Sequence, residues 1–222
     1  MAIRYSLDID GVVADYFAAR AAVAEKLGIR PLSQPLGMKP EDLDAFMEER
    51  QTAIKNAMRD EISANLEEFF GGLSCLATPD DYHAINRAAA QGAEMFWVSA
   101  RSFFGGHSFG SAPTDELARI TLKWLLDNGF PADASHVFLT PNKAAVIQEH
   151  GIRFHLDDAV AHVTNIALQT QAKVSLLRRP YNQHFVITHP DAPDADYETT
   201  AGAYGVEEVD SIAEYITLLM GR

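Results

Sequence analysis

The segment LDIDGVVAD at residues 7–15, with the apolar run that leads into it, decides the fold of this chain. Residues 3–8, IRYSLD, alternate apolar and polar side chains, which predicts a buried strand. The acidic, glycine-containing stretch that follows predicts a loop. Ligands of parallel sheets bind beyond the carboxyl ends of the strands, so Asp8 and Asp10 are candidate functional residues.

The next part of the chain, residues 16–73, is rich in Ala, Glu, Leu, Met and Arg at helical spacing. A proline-rich stretch at 30–40 separates a first helix from those that follow, and two glycines end the segment. We therefore expect a small helical cap, residues 16–73, inserted into a core made of residues 1–15 and 74–222.

Strands and helices alternate from residue 74 onward. Such alternation predicts an α/β fold, a Rossmann-like three-layer α/β/α arrangement with helices on both faces of a parallel sheet. The predicted strands are 93–99, 136–140, 152–157 and 173–178, and the predicted helices are 79–91, 115–129, 142–151 and 159–170. Residues 206–220 are predicted to form a terminal amphipathic helix, and residues 183–206 receive no assignment.

The composition is that of a folded globular protein, with 47% apolar and 22% charged residues among 222. Its formal charge of −13, from 18 basic and 31 acidic residues, disfavours stable nucleic-acid binding because it repels polyanions. The single cysteine, Cys75, and a beginning without secretory features lead us to expect a cytoplasmic protein. The chain has no apolar run of membrane-spanning length, so we expect no membrane association.

Polar side chains end four of the predicted strands and would meet at one edge of the sheet. They are Asp8 and Asp10, Ser99 with Ala100 and Arg101, Lys143 shortly after the 136–140 strand, and Asp157 with Asp158. Clustered carboxylates suit Mg²⁺, which prefers hard oxygen ligands and leaves positions for a substrate phosphate. A carboxylate also serves as a nucleophile, and a lysine and a hydroxyl stabilise charge on a phosphoryl group. The set predicts phosphoryl-transfer chemistry.

Four segments in order resemble the motifs of the haloacid dehalogenase (HAD) superfamily of phosphohydrolases. They are LDIDGVVAD at 7–15, FWVSAR at 96–101, TPNKAAVI at 140–147 and HLDD at 155–158. The resemblance implies a HAD-like core with a type-one cap. It also implies an enzyme, a phosphoric monoester hydrolase that forms an aspartyl-phosphate intermediate.

The resemblance also implies a role for each matching residue. Asp8 would be the nucleophile, Asp10 the general acid and base, and Lys143 the stabiliser of negative charge. Ser99, Ala100 and Arg101 would bind phosphate, although Arg101 is equally compatible with an ion pair to a carboxylate. A Mg²⁺ cofactor would be held by Asp8, the backbone carbonyl of Asp10, and Asp157, with Asp158 directly or through water. His155 and His162 lack zinc-site spacing and are expected to be structural or exposed.

Within the superfamily, the opening DIDGVVAD, the small cap and the stretch RPYNQ at 179–183 are most similar to the 5′(3′)-deoxyribonucleotidase branch. This implies a small phosphorylated substrate, a nucleoside monophosphate. A polynucleotide 3′-phosphate end and a phosphosugar stay open as substrates, as does a non-enzymatic phospho-receiver module. The sequence leaves open the role of the loop at 102–113, whose aromatic residues fit either base stacking or packing, and the oligomeric state, a homodimer included.

Overall fold

The computed structural model of the protein describes residues 2–29, 40–101, 103–104, 107–108, 114–182 and 205–221. Its main sheet has six parallel strands in the order β5-β2-β1-β6-β7-β8. These strands are β1 (Arg4–Leu7), β2 (Glu94–Ser99), β5 (Val137–Leu139), β6 (Phe154–Asp157), β7 (Lys173–Leu177) and β8 (Glu207–Val209). Strands β3 (Phe103–Phe104) and β4 (His107–Ser108) pair separately as an antiparallel ribbon.

The helices follow the predicted alternation. They are α1 (Tyr16–Lys26), α2 (Pro40–Ala64), α3 (Leu66–Gly71), α4 (Pro79–Ala90), α5 (Thr114–Asp127), α6 (Lys143–Glu149), α7 (Val160–Gln169) and α8 (Ile212–Met220). The start of α4 shows why these residues form helices. The Thr78 hydroxyl accepts a hydrogen bond from the Asp81 backbone N–H, and the Asp81 carboxylate accepts one from the Thr78 N–H. This reciprocal capping satisfies backbone donors that a helix leaves free at its first turn.

Helices cover both faces of the main sheet. On β2, Met95 and Trp97 belong to one apolar cluster, which also holds buried residues of α4, α5 and α8. Phe96 and Val98 point to the other face and join a second cluster with residues of α6 and α7. The expected three-layer α/β/α architecture is therefore confirmed, and the carboxyl ends of all six strands lie at one edge.

The helices between β1 and α4 pack onto this core. Buried residues of α2 and α3, among them Ile62 and Phe70, belong to the same apolar cluster as Leu7 and Trp97 of the sheet. The three helices lie where the sequence predicts the cap. Its treatment as a domain separate from the core stays a prediction.

The prediction of one helix over 206–220 is wrong in its first half, because β8 comes before α8. Val206 and Val209 are three residues apart, a spacing that also fits a helix face, but both are buried beside β7. The Arg178 N–H donates to the Val209 carbonyl at 2.8 Å, which extends the sheet. The Ser211 hydroxyl then caps α8 by accepting from the Glu214 N–H at 3.0 Å.

Within the described ranges, no helix combines the length and the apolar character needed to cross a membrane.

The strand assignment of β8 makes a prediction about stability. Val209 is fully buried, whereas the neighbouring Glu208 is exposed. Val209→Ala should lower the free energy of unfolding by about 2 kcal/mol, since it removes buried methyl groups and leaves a cavity. Glu208→Ala should change it by less than about 0.5 kcal/mol. Urea unfolding of both variants measures the difference, and equal effects would contradict the assignment.

Candidate active site

Four of the predicted site residues meet at the carboxyl edge of the sheet. Asp8 follows β1, Ser99 ends β2 and Asp157 ends β6, and these three strands are neighbours. Lys143 begins α6, which follows β5 at the end of the sheet beyond β2. All four side chains are buried. Lys143 contacts Asp8 and Asp157, and Ser99 lies at the carboxyl end of the neighbouring strand.

The Lys143 ammonium lies between two carboxylates. Its Nζ is 2.6 Å from Asp157 Oδ2 and 3.0 Å from Asp8 Oδ2. The helix cap fixes its position, because the Asn142 side chain accepts a hydrogen bond from the Ala145 N–H and makes Lys143 the first residue of α6. A buried charge is tolerated only when it is paired, so both carboxylates depend on Lys143 and Lys143 depends on them.

The pKa values of the two carboxylates are shifted in opposite directions. Burial alone would raise both pKa values. The pKa of Asp157 is nevertheless held well below its usual range, because Lys143 and the imidazoles of His155 and His162 favour its charged form. The pKa of Asp8 is raised, since burial outweighs the attraction of the more distant Lys143. Burial would lower the pKa of Lys143, but Asp157 and Asp8 raise it above its usual value.

Two buried oxygen atoms in this cluster have no hydrogen-bond partner among the described residues. They are Asp8 Oδ1 and Ser99 Oγ. Leaving a buried polar atom unsatisfied costs roughly 1–3 kcal/mol, so a ligand that supplies the missing partner would be favoured here. Asp8 thus has one carboxylate oxygen bound to Lys143 and one without a hydrogen-bond partner among the described residues.

Two histidines, His155 and His162, lie beside the Asp157 carboxylate. His155 is buried in β6, with Nδ1 2.7 Å from Ser6 Oγ and Nε2 3.3 Å from Asp157 Oδ2. His162, on α7, places Nδ1 3.4 Å from the same oxygen, and contact with Asp157 raises its pKa. His155 fits its expected structural role. The position of His162 in the site was missed, and its only sequence signal is its place on the first turns of the helix after Asp157.

Asp10 is bound by Arg101. The Arg101 Nε is 3.1 Å from both Asp10 carboxylate oxygens, and Nη2 is 2.9 Å from Oδ1. Its Nη1 donates to the Thr121 hydroxyl at 3.1 Å, and the guanidinium lies over the rings of Phe70 and Trp124. Of the two roles that the sequence leaves open for Arg101, the structure shows the ion pair with a carboxylate. Phosphate binding by Arg101, and by the backbone beside Ala100, stays a prediction.

Asp158 is bound by Tyr181. Its Oδ2 accepts a hydrogen bond from the Tyr181 hydroxyl, and burial together with the charges of Asp157 and Asp8 raises its pKa to about 7. Gly11 lies against the same oxygen, with a φ of +77°, and a Cβ at this position would be 2.1 Å from Asp158 Oδ2. Both the backbone conformation and the close approach require glycine here.

The chemistry of the donor set fits a divalent cation. Asp8, Asp157 and His162 each offer one ligand atom, and these atoms lie within 4.8 Å of one another. Carboxylates suit Mg²⁺, while an imidazole is also suited to transition metals. The Asp158 carboxylate accepts a hydrogen bond from Tyr181 instead. The Asp10 carboxylate binds Arg101, and the prediction for Asp10 concerns its backbone carbonyl. Mg²⁺ as the bound ion, and Asp10 and Asp158 as its ligands, stay predictions.

Of the predicted loop at 102–113, the structure describes only the backbone of β3 and β4. The side chains of Phe103 and Phe104, and Phe109 as a whole, lie outside the described residues. Their role in base stacking or packing stays open.

The buried triad makes a prediction about stability. Lys143→Met should lower the free energy of unfolding by about 3–5 kcal/mol, because it leaves two buried carboxylates without their cation. Lys123→Met is the matched control, since Lys123 is an exposed lysine that pairs with Asp127 on the surface of α5. It should cost no more than about 0.5 kcal/mol. Urea unfolding in the presence of a chelator gives both values, and similar losses in the two variants would contradict the account.

Comparison with known proteins yields structural matches alone: no protein-family model and no curated protein sequence matches the chain. A HAD family hydrolase from Deinococcus radiodurans, solved with bound phosphate and sodium, is 14% identical, with a TM-score of 0.56 over 96% of this chain and 93% of that one. A haloacid dehalogenase-like hydrolase from Streptococcus pneumoniae is 11% identical, with a TM-score of 0.56 over 99% of both chains.

A third structural neighbour is D,D-heptose 1,7-bisphosphate phosphatase from Burkholderia thailandensis. It is 12% identical, with a TM-score of 0.51 over the whole of both chains. At these identities the likeness concerns the fold, and no neighbour of the deoxyribonucleotidase branch is among these three. The chain therefore has the fold of the HAD-family hydrolases, with the predicted nucleophile, serine, lysine and metal-binding aspartate brought together at its carboxyl edge.

Proposed function

We propose that this protein is a Mg²⁺-dependent phosphomonoester hydrolase that works through an aspartyl-phosphate on Asp8. One observation carries the proposal. Asp8 is buried beside Lys143, with Oδ2 held by the ammonium group and Oδ1 left without a partner. A carboxylate held in this way has a fixed orientation and one free oxygen, which is what an attack on phosphorus requires. The HAD-family hydrolases that share the fold support the same chemistry.

In the first step, Asp8 Oδ1 attacks the phosphorus of the substrate. The bond between phosphorus and the leaving oxygen breaks, and Asp10 supplies the proton that this oxygen needs. Lys143 and the Ser99 hydroxyl stabilise the charge that builds up on the phosphoryl oxygens. A Mg²⁺ ion held by Asp8 and Asp157, with His162 beside them, would add positive charge at the same oxygens.

In the second step, a water molecule attacks the phosphorus of the aspartyl-phosphate. Asp10 accepts a proton from this water, the bond between phosphorus and Asp8 breaks, and inorganic phosphate leaves. The contact with Arg101 fixes the orientation of the Asp10 side chain. The proton that Asp10 accepts from the water replaces the one that it donates in the first step.

The substrate that we propose is a nucleoside monophosphate. Two exposed aromatic rings, Phe17 on α1 and Tyr181 after β7, lie with centroids 4.3 Å apart, and Tyr181 also contacts Asp158 of the site. Exposed aromatic rings beside a polar site suit a planar group such as a base. The charge of −13 favours a small monoester over a polynucleotide end, because the electrostatic repulsion grows with the length of the polyanion.

Phosphate release from a panel of nucleoside monophosphates, phosphosugars, oligonucleotide 3′-phosphates and an aryl phosphate, with Mg²⁺ present, tests this function. We expect turnover, highest on the nucleotides. Asp8→Asn should lower kcat by roughly three orders of magnitude or more, whereas Asp60→Asn, at an exposed aspartate of α2, should not change it. No phosphate release across the panel would refute the activity. Stable phosphorylation without turnover would indicate a receiver module, and a preference for phosphosugars or oligonucleotide ends would replace the substrate.

The role of Asp10 predicts a dependence on the leaving group. p-Nitrophenolate leaves readily without a proton, whereas the alkoxide of a nucleoside needs one. Asp10→Asn should therefore reduce hydrolysis of nucleoside monophosphates by roughly 10²–10⁴-fold and hydrolysis of p-nitrophenyl phosphate much less. Parallel measurement of kcat/KM for both substrates gives the ratio. An equal loss on both would contradict the acid role.

A further inference from the structure

Arg179, Pro180, Tyr181 and Asn182 form a turn, here called the 179–182 turn, of which only the Tyr181 ring has a part in the function proposed above. It follows β7 and lies against the catalytic loop, residues 8–12. The Arg179 guanidinium donates from Nε to the Gly11 carbonyl and from Nη2 to the Val12 carbonyl, both at 2.8 Å. Two successive carbonyls directly after Asp10 are thus bound by one side chain.

The same turn also binds Asp158, the last residue of the segment HLDD at 155–158. The buried Asn182 side chain donates from Nδ2 to the carbonyls of Asp158 and Leu177, both at 2.8 Å. Its Oδ1 accepts from the backbone N–H of Arg179 at 2.7 Å, so the Asn182 side chain also binds the backbone that carries the Arg179 side chain. The Tyr181 hydroxyl donates to the Asp158 carboxylate.

The turn and the catalytic loop touch without space between them. A Cβ on Gly11 would be 2.5 Å from the Tyr181 hydroxyl as well as in contact with Asp158. The backbone of the loop, the Asp158 carboxylate and the Tyr181 hydroxyl are therefore in direct contact. A shift of the turn toward the loop would displace the loop.

We propose that the 179–182 turn is a positioning device that fixes the catalytic loop relative to Asp158, with Arg179 as its principal residue. The inference rests on the proposed function. The planar guanidinium presents parallel donors in a fixed fork, which matches two adjacent carbonyls, whereas a lysine offers a single point of charge. By fixing the carbonyls of Gly11 and Val12, Arg179 fixes the peptide backbone that carries Asp8 and Asp10. Attack on phosphorus depends on such placement, and an error of about 1 Å can cost roughly 10²-fold in rate.

The chain offers a matched control for Arg179. The preceding residue, Arg178, is an exposed arginine whose guanidinium pairs with the exposed Asp210 carboxylate. Arg178→Gln and Arg179→Gln make the same chemical change at adjacent positions. Only the second removes contacts with the catalytic loop.

The first measurement needs no substrate. Amide hydrogen exchange over residues 9–14 reports the loop, whose Val13 and Ala14 N–H groups both donate to the Ile9 carbonyl at 2.9 Å. Exchange in this segment should be faster in Arg179→Gln than in wild type and unchanged in Arg178→Gln. Equal exchange in both variants would overturn the proposal even if the protein proves to have no phosphatase activity.

The second measurement separates kcat from KM with p-nitrophenyl phosphate. Arg179→Gln should lower kcat roughly 10²-fold with KM changed no more than about threefold, since placement of Asp8 and Asp10 rather than binding is lost. Arg179→Lys should recover part of kcat, and Arg178→Gln should match wild type. A wild-type kcat in Arg179→Gln would overturn the proposal. Absence of turnover in the wild type would instead refute the proposed function.

Tyr181→Phe provides a variant that keeps the ring on Phe17 and removes only the hydroxyl bound to Asp158. It should lower kcat with no change in the thermal unfolding midpoint. If Arg179→Gln fails to fold, Arg179→Lys and Tyr181→Phe still decide the question. A purely structural turn would show reduced unfolding midpoints in both with kcat per folded molecule unchanged, and that result would overturn the proposal.

Discussion

The ammonium group of Lys143, buried between the carboxylates of Asp8 and Asp157, is the interaction on which the rest of the site depends. Removing three charges from water is costly, and only their mutual contact offsets that cost. The contact requires the carboxyl ends of β1 and β6 and the first residue of α6 to lie at the same place. The order of the parallel strands and the Asn142 cap of α6 supply this condition.

Two arginines, Arg101 and Arg179, bind parts of the site that Lys143 does not contact. Arg101 binds Asp10, and its guanidinium lies over Phe70 of α3 and Trp124 of α5. Helix α3, one of the helices between β1 and α4, therefore contacts Arg101, the residue that binds the proposed acid Asp10. On the other side, Arg179 binds the loop that carries Asp8 and Asp10. Two arginines thus bind the catalytic loop, one at the Asp10 side chain and one at the carbonyls that follow it.

Much of this arrangement could be predicted from the sequence. Asp8, Ser99 and Asp157 each end an apolar run, and parallel strands bring their ends to one edge, so periodicity alone groups them. The partner of Arg101 could not be predicted, because Asp10 is 91 residues away and an ion pair of this kind leaves no local pattern.

The same limit applies to the contacts of Arg179, whose partner carbonyl at Gly11 is 168 residues away and belongs to the backbone. Strand β8 was missed for another reason. Its three residues are too few to show a period, and the spacing of Val206 and Val209 fits a helix equally well. Pairing with β7, which the sequence does not display, decides between the two.

Direct identification of the phosphorylated residue tests whether Asp8 is the nucleophile. Turnover of a monoester is stopped with acid, the trapped acyl phosphate is reduced with borohydride, and peptide mass spectrometry locates the resulting homoserine. If Asp8 is the nucleophile, homoserine is found at position 8 and at no other aspartate. Reduction at a different residue, or the absence of any reduced residue during active turnover, would contradict it.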